Sequence, residues 1–179
     1  LVNCNILGLG YIGLPTAAVL SSVGHKINGV DINKKILKDL IKGKIHINEP
    51  KLSEMVKTAF QKELFTSNSH PITADIHFIA VPTPIINSPN GNPKPDISYV
   101  INAAKAIAKI IKKNDLVIIE STCPVGTTNK VSKVISDHGK ISTKEFHIAY
   151  CPERVLPGNI IHEIKNNNRV IGGNSEKAN

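Results

Sequence analysis

Three glycines near the start of the chain have the spacing G-x-G-x-x-G, and an acidic residue follows them. These residues are Gly8, Gly10, Gly13 and Asp31. Gly8 permits a tight strand-to-helix turn, Gly10 lets the backbone approach a diphosphate, and Gly13 lets a helix pack closely on a sheet. The N-terminus of that helix would offer unpaired N–H groups and a positive dipole end to the diphosphate. The carboxylate of Asp31 would accept hydrogen bonds from an adenosine ribose and repel a 2′-phosphate. The pattern therefore predicts an NAD site, in which Lys35 could soften the preference over NADP.

Two other interpretations of these residues stay open at this point. The glycines could serve packing alone, with Asp31 acting as the cap of a helix that begins at Lys34. Flavin-binding domains share the same glycine spacing, so the spacing alone does not name the cofactor. The context favours the dinucleotide, because an apolar run that predicts a strand precedes Gly8 and a helical pattern follows it.

The elements that must position these residues follow from an alternation of short apolar runs with helical patterns, which predicts βαβ units. We therefore predict a single doubly wound α/β domain with a mostly parallel, Rossmann-like sheet. Strands are predicted at 2–7, 26–31, 64–66, 76–81, 116–120, 146–150 and 170–171, and helices at 11–23, 34–42, 51–62, 127–136 and from a cap at Asp96 to about 113. Five prolines between Pro82 and Pro95, a stretch that includes Pro89 and Asn90, predict no regular element there.

The composition excludes several classes of function. The formal charge is +8, but only two of the 22 basic residues are Arg, Trp is absent and aromatic residues make up 4%, so we predict no nucleic-acid partner. No apolar run approaches the roughly 20 residues of a membrane-spanning helix, so we predict no membrane partner. The three cysteines form no Cys-x-x-Cys pair, which predicts no metal site and no disulfide framework. A reducing, cytoplasmic location follows from that cysteine usage.

Four motifs together carry a resemblance to one enzyme family. The segment Gly8–Pro15 resembles the opening of the UDP-glucose/GDP-mannose dehydrogenase family. Three further segments are similar to later signatures of that family and occur in the same order: 80–84 (Ala-Val-Pro-Thr-Pro), 120–127 (Glu-Ser-Thr-Cys-Pro-Val-Gly-Thr) and 151–158 (Cys-Pro-Glu-Arg-Val-Leu-Pro-Gly). The resemblance covers essentially all 179 residues. Within the family, residues 43–50 and 151–158 most resemble the members that act on UDP-N-acetyl-D-mannosamine, while UDP-N-acetylglucosamine and UDP-glucose members share the motifs.

The resemblance implies an activity and a set of site residues. The family oxidises the C6 hydroxymethyl group of a nucleotide sugar to a carboxylate with two NAD⁺, through an aldehyde and a cysteine thioester, and we expect a role in bacterial surface polysaccharide synthesis. Thr122 is similar to a threonine that helps to hold a catalytic water, and Glu153 to a glutamate that handles water or protons. Arg154, Val155 and Leu156 match the stretch that lines the sugar and diphosphate. Besides the glycines and Asp31, the expected NAD contacts are Tyr11, Ile12, Lys35, Val81, Pro82, Thr83, Ser121 and Thr122.

The resemblance also implies that residues 1–179 form the NAD-binding domain of a longer enzyme. The family's central helix, its C-terminal UDP-sugar domain and its Gly-rich motif with the nucleophilic cysteine have no match in this sequence, so we expect the chain to be inactive alone. The full-length enzyme is expected to be a homodimer or a higher homo-oligomer. We expect Cys123 and Cys151 to be structural or incidental rather than nucleophilic. A nucleotide-sensing domain without chemistry is the main alternative, and a 6-phosphogluconate or 3-hydroxyacid dehydrogenase is a third.

Overall fold

The computed structural model describes residues 1–87 and 91–179, and these form one α/β unit. Its strands are β1 (Asn3–Leu7), β2 (Lys26–Val30), β3 (Phe65–Asn68), β4 (Ile76–Ile79), β5 (Ile85–Asn87), β6 (Pro93–Pro95), β7 (Leu116–Ile119), β8 (His147–Tyr150) and β9 (Gly172–Gly173). Its helices are α1 (Gly13–Ser22), α2 (Lys34–Ile41), α3 (Leu52–Gln61), α4 (Ser98–Ala108), α5 (Thr127–Gly139) and α6 (Ile160–Asn166), with a short 3₁₀ turn at Glu176–Ala178.

Seven strands form one sheet in the order β3-β2-β1-β4-β7-β8-β9. All neighbouring pairs are parallel except β8 and β9, which are antiparallel. The strand order reverses direction between β1 and β4, so a crevice opens there at the carboxyl ends of the strands, where open α/β sheets bind ligands. The predicted doubly wound, mostly parallel fold is confirmed.

Both faces of the sheet are covered, as the nearly continuous apolar strands require. On one face, Leu14 of α1, Leu40 of α2 and Val56 of α3 are fully buried in one hydrophobic cluster, to which Ile161 of α6 also belongs. On the other face, Ile107 of α4 packs with Val131 and Ile135 of α5. The crevice between β1 and β4 therefore lies at the edge of a sheet with a hydrophobic core on each face. No helix within the described ranges is long and apolar enough to cross a membrane.

Four details differ from the sequence predictions. The prediction that prolines exclude regular structure was wrong, because β5 and β6 pair as an antiparallel hairpin. Pro93 and Pro95 are tolerated there because a two-stranded ribbon leaves alternate N–H groups outside the ladder; Pro89 and Asn90 lie outside the described residues. Helix α6 was not predicted, and the last strand is Gly172–Gly173 rather than 170–171. The long predicted helix ends at Ala108 instead of 113.

A row of buried polar side chains crosses the middle of the sheet. Asn28 Nδ2 donates to Asn5 Oδ1 at 2.7 Å, and Asn5 Nδ2 lies 3.0 Å from Nδ1 of His77. The other ring nitrogen of His77 is 3.4 Å from Asp115 Oδ2, and His77 is fully buried. Burial lowers the pKa of His77, and the hydrogen bond to Asp115 opposes this only in part. His77 therefore resists protonation in the folded chain.

This burial predicts that the chain loses stability in mild acid. An unfolded His titrates near pH 6.5, so below about that pH the unfolded state takes up a proton that folded His77 refuses. We expect the contribution to be fully present above about pH 7 and to fall below pH 6.5, by at most about 1.4 kcal/mol per pH unit. Urea unfolding between pH 7.5 and 5 measures the free energy of unfolding at each pH. This free energy should depend less steeply on pH for His77→Gln than for the wild type. His46→Gln, at an exposed position, should keep the wild-type slope; equal slopes for all three would contradict the prediction.

Candidate functional site

The predicted site residues follow the carboxyl ends of five neighbouring strands. The turn at Gly8 follows β1, Asp31 follows β2, and residues 81–83 follow β4. Residues 121–122 follow β7, and residues 151–156 follow β8. Because these strands are adjacent and parallel, the sheet places all of the segments along one edge.

The three glycines of the first turn do different work. Gly8 has φ +94°, and a Cβ there would lie 2.6 Å from the carbonyl oxygen of Ala80. A Cβ on Gly13 would collide with the carbonyl oxygen of Gly8. A Cβ on Gly10 would meet nothing within 4 Å, so this backbone faces open space. Gly8 and Gly13 are therefore packing requirements, while Gly10 leaves room for a ligand against the main chain.

The N-terminus of α1 faces the same crevice. Its first backbone bonds run from Leu14 N–H to Gly10 O at 3.1 Å and from Thr16 N–H to Ile12 O at 3.0 Å. Within the described ranges, the N–H groups of Tyr11, Ile12 and Gly13 have no hydrogen-bond acceptor. Unpaired N–H groups at a helix start are the usual partners of a diphosphate. An anionic ligand fits this turn.

Asp31 fastens the glycine turn to the end of β2. Its Oδ2 accepts the Leu9 N–H at 2.9 Å, and its Oδ1 accepts the Asn33 N–H at 2.8 Å. Each carboxylate oxygen keeps a lone pair, which leaves capacity for two ribose hydroxyls. Asp31 is not the cap of α2, because the side chain of Asn33 caps that helix. Lys35 extends to Asp39 on the next turn, with 3.4 Å between Nζ and Oδ2.

Two hydroxyl groups tie the ends of β4 and β7 together. Thr83 Oγ1 donates to the carbonyl of Thr122 at 2.7 Å, and Ser121 Oγ donates to the carbonyl of Val81 at 2.7 Å. Ser121 is buried and Val81 half-buried, whereas Pro82 and Thr122 are exposed. Ser121 and Thr83 thus shape the crevice wall, and the side chain of Thr122 remains available to a ligand or a water.

Glu153 belongs to a buried ionic network that the sequence did not reveal. Its side chain is 3% exposed, and it pairs with the guanidinium group of Arg169. Arg169 Nη1 also donates to Glu120 Oε1 at 3.0 Å, and Thr16 Oγ1 donates to the other oxygen of Glu120 at 3.3 Å. Burial raises the pKa of Glu120, while Arg169 and Thr16 act in the opposite direction. Glu153 is therefore not an ordinary surface acid.

The stretch after Glu153 presents its side chains outward while α6 holds its backbone. Arg154 is exposed, Val155 is half-buried and Leu156 is 69% exposed. Glu163 of α6 accepts the Leu156 N–H at 3.0 Å, and Asn167 donates to the carbonyl of Arg154 at 3.3 Å. The arrangement suits contact with a ligand at the crevice edge.

Glu49 fixes the far end of this loop. Its buried carboxylate accepts the Gly158 N–H at 2.8 Å and the Ile160 N–H at 2.6 Å, so a residue distant in sequence caps the N-terminus of α6. This contact explains why α6 could not be predicted: within its own segment, Asn159 makes no side-chain cap bond.

We expect Glu49→Ala to lower the free energy of unfolding by about 2–3 kcal/mol, because the buried N–H of Ile160 and the half-buried N–H of Gly158 lose a charged acceptor. Urea denaturation of the purified chain measures this loss. Glu54→Ala, at an exposed position on α3, is the matched control and should change stability by less than about 0.5 kcal/mol. A Glu49 variant as stable as the Glu54 variant would show that the carboxylate does not support α6.

The thiols near the crevice have the features of structural cysteines. Burial raises the pKa of the Cys123 thiol to about 11, so it is protonated at neutral pH. Cys151 is buried, and its Sγ lies 3.6 Å from Nη1 of Arg169. A protonated thiol is a poor nucleophile, which disfavours Cys123 as the attacking group.

Comparison with known proteins gives one consistent result. The profile described as "UDP-glucose/GDP-mannose dehydrogenase family, NAD binding domain" matches residues 2–179. The UDP-N-acetyl-D-mannosamine dehydrogenase of Campylobacter jejuni is 44% identical over 97% of this chain and 44% of its own length. The NDP-N-acetyl-D-galactosaminuronic acid dehydrogenase of Ralstonia nicotianae is 42% identical over 97% of this chain and 42% of its own. The structure of the UDP-D-ManNAc dehydrogenase of Pyrococcus horikoshii superposes with a TM-score of 0.91 at 36% identity, covering 98% of this chain and 42% of that one. The chain spans about two fifths of the length of these relatives.

Proposed function

Because this chain belongs to the UDP-glucose/GDP-mannose dehydrogenase family and has the fold of its NAD-binding domain, we propose that it is the cofactor half of a UDP-N-acetyl-D-mannosamine 6-dehydrogenase. The enzyme oxidises the C6 hydroxymethyl group to a carboxylate and reduces two NAD⁺, in bacterial surface polysaccharide synthesis. The observation that carries the proposal is one sheet edge that combines an open backbone at Gly10, a fixed carboxylate at Asp31 and a buried, ion-paired carboxylate at Glu153.

The residues that line the crevice suit the diphosphate and the ribose of NAD. The open backbone at Gly10 suits a diphosphate, as do the N–H groups of Tyr11 and Ile12, which have no acceptor in the part of the chain that the structure describes. Asp31 suits the two hydroxyls of an unphosphorylated ribose and repels a 2′-phosphate. When bound, NAD⁺ supplies the acceptor for the hydride that leaves C6. The protein residues bind, orient and handle the protons.

Glu153 and Thr122 are the residues we assign to proton and water handling. Glu153 Oε1 accepts the Arg154 N–H at 2.8 Å and retains a lone pair for a water molecule. A carboxylate in that position can take a proton from water and return it in a later step. The exposed hydroxyl of Thr122 can hold a water molecule at the same sheet edge, and the carbonyl of Thr122 is fixed by Thr83.

The loop after Glu153 is our candidate for substrate contact. The exposed guanidinium of Arg154 can pair with the diphosphate of a UDP-sugar, and Val155 and Leu156 offer apolar surface beside it. Relatives named for UDP-N-acetyl-D-mannosamine support that sugar, and UDP-N-acetylglucosamine and UDP-glucose are the alternatives. We further propose a cytoplasmic enzyme, which the three free cysteines fit, and a homo-oligomeric full-length protein.

A chimeric enzyme tests the proposal. Residues 1–179 would replace the aligned part of the Campylobacter jejuni relative, and NADH formation would be followed with UDP-N-acetylmannosamine, UDP-N-acetylglucosamine and UDP-glucose. We expect two NADH per sugar, with UDP-N-acetylmannosamine preferred, and no NADH from the 179-residue chain alone. A chimera that binds NAD⁺ yet reduces none of it, under conditions where the parent relative works, would favour a nucleotide-binding module without chemistry.

A further inference from the structure

One guanidinium group is shared by two buried carboxylates beside the crevice. Arg169 lies between α6 and β9, and its side chain is 25% exposed. Nη1 donates to Glu120 Oε1 at 3.0 Å, and Nη2 pairs with Glu153. The side chains of Glu120 and Glu153 are 0% and 3% exposed. Two carboxylates removed from water thus depend on the same cation.

The geometry uses properties that only arginine has. The planar guanidinium holds donors in a fixed fork, so binding Glu120 on one nitrogen orients the other toward Glu153. A lysine ammonium is a compact charge on a flexible stem and cannot span both carboxylates in that way. Hydrogen bonds between ionised partners are also about twice as strong as neutral ones. The orientation of Glu153 therefore depends on Arg169, and that of Arg169 on Glu120.

The same network reaches the helix that carries the glycine turn. Thr16, one turn into α1, donates to Glu120 at 3.3 Å, and both residues are buried. A continuous path of contacts thus runs from α1 through Glu120 and Arg169 to Glu153. Glu153 itself lies in a loop without regular structure, and its other contact is with the N–H of the next residue. Among the described residues, Arg169 is the partner that joins the Glu153 carboxylate to Glu120 and, through Thr16, to α1.

We propose that Arg169, anchored by Glu120, is a positioning residue that fixes the Glu153 carboxylate relative to the cofactor-binding helix. This inference rests on the proposed function, in which Glu153 handles the proton or water. Arg169 touches neither cofactor nor substrate in this role; it acts through Glu153.

The test compares Arg169→Ala, Arg169→Lys and Glu120→Gln in the chimera. We expect Arg169→Ala to lower kcat by about 10²-fold, the lower end of what proton-transfer groups contribute, with KM for NAD⁺ and sugar nearly unchanged. Added guanidinium, well below unfolding concentrations, should restore part of the kcat of Arg169→Ala but none of the double variant with Glu153→Gln. The Arg169→Lys variant should recover little of the lost kcat. Glu120→Gln should lower kcat less than Arg169→Ala does, because the amide oxygen of Gln still accepts a hydrogen bond from Arg169. An unchanged kcat, or a loss that guanidinium does not relieve, would overturn the proposal.

A second measurement uses the 179-residue chain and needs no activity. In urea unfolding, Arg169→Ala combined with Glu153→Ala should lose much less stability than the sum of the two single variants, because the pair is one interaction. Additive losses would show that Arg169 does not hold Glu153 and would overturn the inference. A wild-type chimera without dehydrogenase activity would instead contradict the proposed function, so the two failures are distinguishable.

Discussion

Replacing Glu153 with Gln is expected to lower the turnover of the chimeric dehydrogenase by about 10²–10⁴-fold, the usual contribution of a positioned acid–base group. Gln preserves the size of the side chain but cannot take up a proton. NAD⁺ affinity should change by less than about threefold, because the predicted ribose and diphosphate contacts lie at Asp31 and the Gly8–Gly13 turn. Steady-state kinetics and calorimetric titration with NAD⁺ measure the two quantities separately.

Glu54→Gln, an exposed change on α3, is the control and should leave turnover and NAD⁺ affinity as they are. Glu153→Asp provides a second comparison, because it keeps the carboxylate but shortens its reach to Arg169. Intermediate activity is expected for Asp. A Glu153→Gln enzyme that turns over at the wild-type rate would remove Glu153 from the reaction.

Replacing Asp31 with Ala is expected to weaken NAD⁺ binding by about 1–3 kcal/mol, the cost of losing a charged hydrogen-bond partner. The carboxylate is the predicted acceptor for the ribose hydroxyls, and it also fixes Leu9 in the glycine turn at 2.9 Å. Its removal also deletes the charge that disfavours a 2′-phosphate, so the preference for NAD⁺ over NADP⁺ should shrink. Calorimetric titration of the wild type and the variant with NAD⁺ and with NADP⁺ measures the loss of NAD⁺ affinity and the change in preference between the two nucleotides.

Asp137→Ala is the matched control for Asp31→Ala. Asp137 is an exposed acidic residue near the C-terminal end of α5 and is not among the expected cofactor contacts. The Asp137→Ala chain should bind NAD⁺ as the wild type does. Equal NAD⁺ affinity for Asp31→Ala and the wild type would show that Asp31 does not hold the ribose.

The parts of this fold that sequence predicts are those set by local pattern. The turn from β1 to α1 depends on glycine spacing within a few residues, and the structure gives each glycine a distinct reason to be there. The buried parallel strands appear as short apolar runs, because both of their faces are covered. The assignment of Asp31 to the site came from its place after a strand, and the cap of α2 turned out to be Asn33.

The parts that sequence could not predict depend on partners far apart in the chain. Helix α6 begins where the Glu49 carboxylate accepts its first N–H groups, and no residue in the segment around α6 predicts that cap. The Glu120–Arg169–Glu153 network joins residues that follow β7, precede β9 and follow β8. One signal was present: Arg169 is one of only two arginines in a lysine-rich chain. Of the two arginines, the family resemblance implies a site role only for Arg154.

Calorimetric titration of the 179-residue chain with NAD⁺ tests the central claim most directly, because it needs no substrate and no second domain. The open backbone at Gly10, the N–H groups of residues 11–13, which find no acceptor among the described residues, and the fixed carboxylate of Asp31 predict one NAD⁺ per chain. We expect a dissociation constant below millimolar and weaker binding of NADP⁺. Absence of binding heat at millimolar NAD⁺ across several temperatures, with the chain folded, would contradict it.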